Sequence, residues 1–326
     1  MISIDTIFYC VILPCLKYPC LLILPCQWIP VWIKVASVIY SITFYLFNAF
    51  NKIYKFKCTK EWKNLRDITG NVVVISGGSG GLGYSLIKTL LERFPSVTII
   101  NIDKIPSTIK DERLMYYRCD LSNSLDVQET VQTIKEQFEN RINLIVNNAG
   151  TRLAFKPINK LNEDEIKRIF QVNCFAAIEV IKQLTPNEND ERQCFVVTIA
   201  SVLGILNPCK VAAYAASKAA LISFHQSYEQ ELRVHHVDNI RTLLVIPGQL
   251  NTKMFGGFEP PRQFWAPTID VESLAKYITY KCEIGERGTI QQPLYANFAH
   301  ILMSMPYVIQ VWVRKFAQID DCLPDE

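Results

Sequence analysis

The sequence predicts an α/β fold, a doubly wound parallel sheet of about seven strands preceded by an apolar N-terminal segment. Three observations predict it. Short apolar, β-branched runs such as Val72–Ile75 and Cys194–Ile199 alternate with stretches of helical length, as parallel strands joined by crossover helices require. Glycines crowd the turn that follows the first of these runs, Ser76–Gly83. Finally, from Thr6 to Phe50 the only charged residues are Lys17 and Lys34.

With 326 residues, the chain has room for one large α/β domain and an extension. The pattern divides it into an apolar anchor at 1–55, a basic linker at 56–70, the α/β domain at 71–293 and an apolar tail at 294–326. A net charge of only +3 implies no nucleic-acid partner. Four of the eleven cysteines, Cys10, Cys15, Cys20 and Cys26, lie in the apolar segment, and none forms a Cys-x-x-Cys pair. They read as small fillers in a reducing compartment rather than as disulfides. The four histidines form no cluster at ligand spacing, so no metal site is expected.

The anchor holds two uncharged runs of sixteen residues, Tyr18–Ile33 and Val35–Phe50. Each as a straight helix would be about 24 Å long, short of a bilayer core of roughly 30 Å. Pro14, Pro19, Pro25 and Pro30 would also interrupt helical hydrogen bonding. The expectation is therefore a hairpin or half-embedded anchor. Lys52, Lys55, Lys57, Lys60, Lys63 and Arg66 follow it. Positive flanks stay cytosolic and attract anionic headgroups.

Within the α/β domain, Val72–Ile75 leads into Ser76-Gly77-Gly78-Ser79-Gly80-Gly81-Leu82-Gly83, then a helix to Arg93, then a strand at Val97–Ile102 ending at Asp103. Strand, glycine turn, helix, strand and acid make a dinucleotide-binding unit. Two glycine registers fit: Gly78/Gly80/Gly83 or Gly77/Gly81/Gly83. A carboxylate at Asp103 accepts hydrogen bonds from ribose hydroxyls and repels a 2′-phosphate, which favours NAD over NADP. Further strands are predicted at Leu114–Arg118, Asn143–Val146, Cys194–Ile199 and Ile240–Ile246. The intervening helices fall at Ser124–Glu139, Glu163–Leu184 and Val211–His236. Pro247-Gly248 breaks the last strand.

Ser201 ends the fifth strand, and Tyr214 and Lys218 follow four residues apart. On a helix that spacing stacks the two side chains on one face. A neighbouring ammonium is expected to lower the phenol below its usual pKa of about 10, suiting it to exchange a proton with an alcohol or carbonyl. Many helices carry such a pair without function, so its company decides.

With Ser76–Gly83, Asp120-Leu121, Asn147-Asn148-Ala149-Gly150, Asn173, Ser201, Tyr214-x-x-x-Lys218 and Pro247-Gly248 in this order, the chain resembles the short-chain dehydrogenase/reductase family over about Asn71–Pro293. Ser76 replaces the usual leading Thr and keeps its hydroxyl. The resemblance implies that Tyr214 is the acid/base and that Lys218 tunes it and binds the nicotinamide ribose. Ser201 would hydrogen-bond the substrate oxygen, and Asn173 would hold a water linking Lys218 to solvent. It places the cofactor against Gly77, Ser79, Gly81, Leu82, Gly83, Asp103, Asp120, Leu121, Asn147, Ala149, Gly150, Pro247, Gly248, Leu250 and Thr252, with Tyr214 and Lys218. It also suggests a homodimer paired through the Tyr/Lys helix.

The anchor, the acidic strand end and the apolar tail are together similar to the membrane-bound retinol and 17-beta-hydroxysteroid dehydrogenases. That similarity implies a lipophilic alcohol or ketone (retinoid, sterol or long-chain lipid) handled at the endoplasmic reticulum or a lipid droplet, with the catalytic domain facing the cytosol. An NADPH-dependent ketone reductase of lipid synthesis and a non-catalytic membrane scaffold are the alternatives. Asn251–Pro267 carries Met254, Phe255, Phe258, Phe264 and Trp265 with Gly256-Gly257 and Pro260-Pro261, and is expected to close over substrate. Ala299–Phe316 bears an apolar stripe at helical spacing, read as a subunit contact, a membrane-surface helix or a core flap.

Overall fold

The computed structural model describes residues 3–57, 62–187, 190, 192–256 and 260–324. Lys60, Gly257 and Phe258 therefore lie outside the described residues. Strands β1 (Val72–Ser76), β2 (Thr98–Asp103), β3 (Leu114–Arg118), β4 (Ile142–Asn147), β5 (Cys194–Ile199), β6 (Ile240–Pro247) and β7 (Gly288–Gln292) form one parallel sheet in the order β3-β2-β1-β4-β5-β6-β7. The chain reverses its winding between β1 and β4. In open α/β sheets the crevice above such a reversal, at the carboxyl ends of the strands, is where ligands bind.

Strand side chains alternate between two cores, as a period of two demands. Val73, Ile75, Val146 and Val197 face the helices Gly81–Arg93 and Val271–Ile284. Val72, Val74, Ile145 and Val196 face Ser124–Phe138, Ala176–Leu184 and the Phe224–Leu232 side of Ala212–Val234. β1, β4, β5 and β6 are buried along their whole length. That double coverage explains why their sequences are almost purely apolar. β7, Gly-Thr-Ile-Gln-Gln, is an edge strand with only Ile290 buried.

The helix expected over Glu163–Leu184 is continuous but not uniform. A wide π-helical turn, Gln171–Phe175, joins Glu163–Phe170 to Ala176–Leu184 and carries Asn173. Such turns mark functional positions because they redirect one side chain without ending the helix.

The N-terminal segment differs from expectation in length. Its second half is one helix, Val31–Phe56, of 26 residues. At 1.5 Å per residue it is about 39 Å long, enough to reach across a bilayer core. It is longer than the uncharged run because Asn51–Phe56, lysines included, continues the same helix. The first half is helical from Ile4 to Lys17, with a π-helical stretch at Phe8–Ile12, breaks at Tyr18 and resumes over Pro19–Ile23. Pro19 sits at a helix start, where a missing N–H costs nothing.

Both ends of the segment return to the α/β domain. The Ile4 amide donates to Phe264 O at 2.9 Å, and the Leu294 amide donates to Asp5 Oδ2 at 2.7 Å. At the other end Arg241, stacked 4.2 Å from the Trp62 ring, donates to Phe56 O at 3.0 Å, and Lys55 pairs with Glu286 at 3.3 Å. Pro19–Ile23 packs along Val31–Phe56, and Trp28 in the connection is 94 % exposed. The shape is a hairpin.

The tail forms two helices, Ala299–Ser304 and Tyr307–Ala317, separated at Pro306. The expected single stripe is thus bent: a proline cannot continue the first helix but begins the second well.

Candidate active site

The glycine turn settles the register. Gly77 and Gly81 adopt left-handed φ values of +69° and +52°, which favour glycine. Gly83 packs so tightly that a β-carbon would overlap Gly77 O and lie 2.6 Å from Asn148 Nδ2. Gly80 takes an extended φ and meets nothing within 4 Å. The register is therefore Gly77, Gly81 and Gly83, and Gly78 is also packed too closely for a β-carbon, which would lie 2.5 Å from Asn101 Oδ1. The helix beginning at Gly81 directs its free N–H groups at the cavity, an arrangement that favours a phosphate.

A residue the sequence reading missed holds this turn. Asn101, fully buried in β2, accepts from the Gly78 amide at 2.9 Å and donates to Ser79 Oγ at 3.0 Å. Its signal was a lone amide inside an apolar strand. Asp103 follows on the same strand, accepting from the Ser79 amide at 3.0 Å and the Lys104 amide at 2.7 Å. Lys104 turns away from it to Asp120, at 2.8 Å. Hydrogen bonds from Lys104, then from Ser122, hold the Asp120 carboxyl down at about 2.

One cavity of about 1370 Å³ runs from this turn to the opposite side of the sheet's carboxyl edge. Gly77, Ser79, Gly81, Leu82, Asp103, Asp120, Leu121, Ala149, Gly150, Tyr214, Lys218, Pro247, Gly248, Leu250 and Thr252 all line it. Gly83 acts from behind the turn. Asn147 does not reach the cavity: it is buried in β4 with both amide atoms unpartnered, and Asn148 lines the cavity instead. Two left-handed glycines, an open helix N-terminus and an acid at the end of β2, all on one cavity, fit a dinucleotide.

The catalytic candidates gather where β5, the π-helical turn and the helix Ala212–Val234 meet. Tyr214 is 6 % exposed, hydrogen-bonds to Ser201, and meets the Phe255 ring edge-on at 5.4 Å. Burial pushes its phenol up to about 12, and the Ser201 hydroxyl opposes that rise. The lowering expected from the Tyr–Lys spacing is not what the structure has. Lys218 instead donates to Ile199 O at 2.9 Å, and burial sets the direction of the phenol's shift. Tyr214 is therefore held as the neutral acid, the form that donates a proton to a carbonyl oxygen.

Asn173 is fully buried. Its Oδ1 accepts from the Thr151 amide at 2.7 Å, and its Nδ2 donates to Thr151 O at 2.9 Å and Ser217 Oγ at 3.0 Å. A β-carbon on Gly150 would lie 3.4 Å from Lys218 Nζ and 3.7 Å from Asn173 Oδ1. The glycine thus leaves one small gap between ammonium and amide. Cys209 is exposed and outside the cavity wall, and His225 is buried against Thr198 Oγ1 at 2.9 Å.

Burial lowers the Lys218 ammonium to about 8, against 10.5 for a free lysine, with Cys174 acting weakly the other way. Between those pH values the unfolded chain binds a proton that the folded chain has lost, so this group's destabilisation fades as pH rises. Lys218→Met is expected to raise the melting temperature of the cofactor-free protein near pH 7. The gap to wild type should narrow as pH climbs from about 8 to 10.5, read by thermal denaturation. A gap that widens over that range contradicts the assignment.

Residues 71–263 match the short chain dehydrogenase pattern. The chain belongs to the short-chain dehydrogenase family. This dehydrogenase is 47 % identical over 325 residues to the uncharacterized oxidoreductase TDA5 of Saccharomyces cerevisiae, covering 99 % of this chain and 100 % of that one. It is 27 % identical to retinol dehydrogenase 10-B of Danio rerio over 79 % of this chain and 85 % of the relative. Among solved structures it is similar to a short-chain dehydrogenase of Burkholderia cenocepacia in complex with NADP. There the TM-score is 0.61 at 20 % identity, over 77 % of this chain and 99 % of the other. A 4-hydroxyisoleucine dehydrogenase complexed with NADH matches with TM-score 0.58 at 25 % identity, over 68 % and 95 %. The dehydrogenase is an oxidoreductase with a nicotinamide-dinucleotide site and acts on a small molecule.

Proposed function

We propose that this dehydrogenase interconverts a lipophilic alcohol and its ketone or aldehyde at a membrane surface, using NAD(H). One observation carries the reading: the cavity beside Tyr214 opens into a chamber walled by apolar side chains. Leu203, Leu206, Phe255, Trp265, Leu302, Met305, Ile309 and Val313 form that wall, and an apolar wall selects an apolar substrate. A nicotinamide held there, when bound, would supply or accept the hydride at the carbon. Tyr214 gives the proton to the oxygen, or takes it in the reverse direction, and the Ser201 hydroxyl steadies the oxygen as charge develops. The Asn173–Thr151 hydrogen bonds fix the floor next to Lys218.

The hairpin supports the membrane part of the reading. Its helix Val31–Phe56 is mostly exposed and apolar, and its two ends meet the same domain, so the catalytic face stays on one side. Positively charged Lys52, Lys55 and Lys57 favour the cytosolic side, at the endoplasmic reticulum or a lipid droplet. The retinol dehydrogenase relatives lie in the same direction. For the cofactor, Asp103 at the end of β2 and Lys104 drawn off to Asp120 both disfavour a 2′-phosphate.

The test is turnover of membrane-reconstituted protein with retinoids, sterols and long-chain alcohols, using both cofactors. NADH or NAD is expected to outperform its phosphorylated counterpart. Asp103→Ala should reduce that preference by about tenfold, since one lost or gained charged contact is worth roughly 1–2 kcal/mol. Preference for NADPH in the wild type would replace the reading with an NADPH-dependent reductase. Binding of NADH with no turnover across the panel would favour a scaffold.

A further inference from the structure

The stretch after the last helix bends back to the substrate chamber. Gln318, at φ 53°, ends the helix Tyr307–Ala317 in a left-handed residue. Asp320 then pairs with Arg314 at 2.5 Å and accepts from the Cys209 amide at 3.2 Å. Arg314 also donates to Leu206 O at 2.6 Å. Lys210 reaches over to donate to Leu323 O at 2.8 Å. Three polar ties, with Arg314 itself fastened to Leu206, thus hold a short hook that contributes no strand or helix to the sheet's two cores.

The hook delivers one apolar side chain. Leu323 is 5 % exposed, shares an apolar cluster with Phe155, Val211 and Tyr214, and lines the same cavity as Ser201 and Tyr214. We propose that Leu323 is a specificity-determining residue, whose side chain sets the width of the substrate chamber next to Tyr214. This rests on the lipophilic-ketone reading above. The polar ties hold Leu323 in place, so the wall cannot retreat from a wide substrate. A slim chain passes beside it, whereas a fused ring meets it.

The measurement is the dissociation constant of two ten-carbon ketones, straight-chain decan-2-one and fused-ring decalin-2-one. Calorimetry on the detergent-solubilised full chain, without and with oxidised cofactor, which cannot reduce a ketone, reads both. Their ratio cancels differences in folded fraction and in detergent partition. Leu323→Ala is expected to shift the ratio on the order of tenfold towards the fused ring, the scale of a few methylenes in an apolar pocket. Leu323→Phe should shift it the other way. A ratio unchanged within about twofold in both variants, or no binding of either ketone, overturns the proposal. Binding with the expected shifts but no turnover leaves Leu323 assigned and counts against the proposed activity instead.

Discussion

Tyr214→Phe is expected to lower turnover by about 10²–10⁴-fold, the usual worth of a positioned acid or base, while leaving the fold and cofactor binding in place. The reason is local. The phenol oxygen bonds to Ser201, whereas the ring supplies the packing, meeting Phe255 edge-on at 5.4 Å. Phenylalanine keeps the ring and loses only the hydroxyl that carries the proton. Steady-state rates read the loss, and melting temperature and NADH titration check the rest. Because burial holds the phenol up at about 12, the proton-donating direction should persist well above neutral pH in the wild type. Retained activity in the phenylalanine variant would remove Tyr214 from the chemistry.

Gly83→Ala should weaken cofactor binding about 10- to 100-fold, the equivalent of roughly 1–3 kcal/mol of overpacking. Its added carbon would overlap Gly77 O, a backbone atom of the phosphate-facing turn, and crowd Asn148. The turn must shift, and the helix N-terminus with it. Gly80→Ala is the matched control, since nothing lies within 4 Å of its β-carbon. It should bind within about twofold of wild type. Fluorescence titration with NADH distinguishes the two. Equal loss in both variants would mean that the glycines matter through flexibility rather than through this packing.

The buried half of the fold was open to reading from residues alone. β1, β2, β4, β5 and β6 lie under helices on both faces, so they announce themselves as apolar runs. β7 escaped notice because an edge strand needs only Ile290 inside and leaves Gln291 and Gln292 partly in solvent. The π-helical turn at Gln171–Phe175 was equally hidden, since one residue per wider turn leaves the hydrophobic period nearly intact.

In the site, the structure places most motif positions on one cavity, with Gly83 behind the turn and two further differences from expectation. Asn147 faces into the sheet and Asn148 into the cavity, since successive side chains along a strand end point oppositely. Tyr214 is raised rather than lowered, because spacing along a helix reports proximity but says nothing about burial. Asn101 and Leu323 act through contacts more than 20 and more than 100 residues away in sequence, and no local pattern encodes such partners. The hairpin was one of two shapes the prolines allowed for the N-terminal segment. The choice between them depended on Asp5 and Arg241 meeting the domain from opposite ends of the segment.

The most direct measurement is the fate of a deuteride. Wild-type protein in liposomes is given a lipophilic ketone and NADH carrying deuterium on the transferred position of the nicotinamide, and the alcohol is analysed by mass spectrometry. The account predicts one deuterium, located on the carbinol carbon, with the hydroxyl proton drawn from solvent by way of Tyr214. Alcohol free of deuterium, or label appearing in the water, would contradict it.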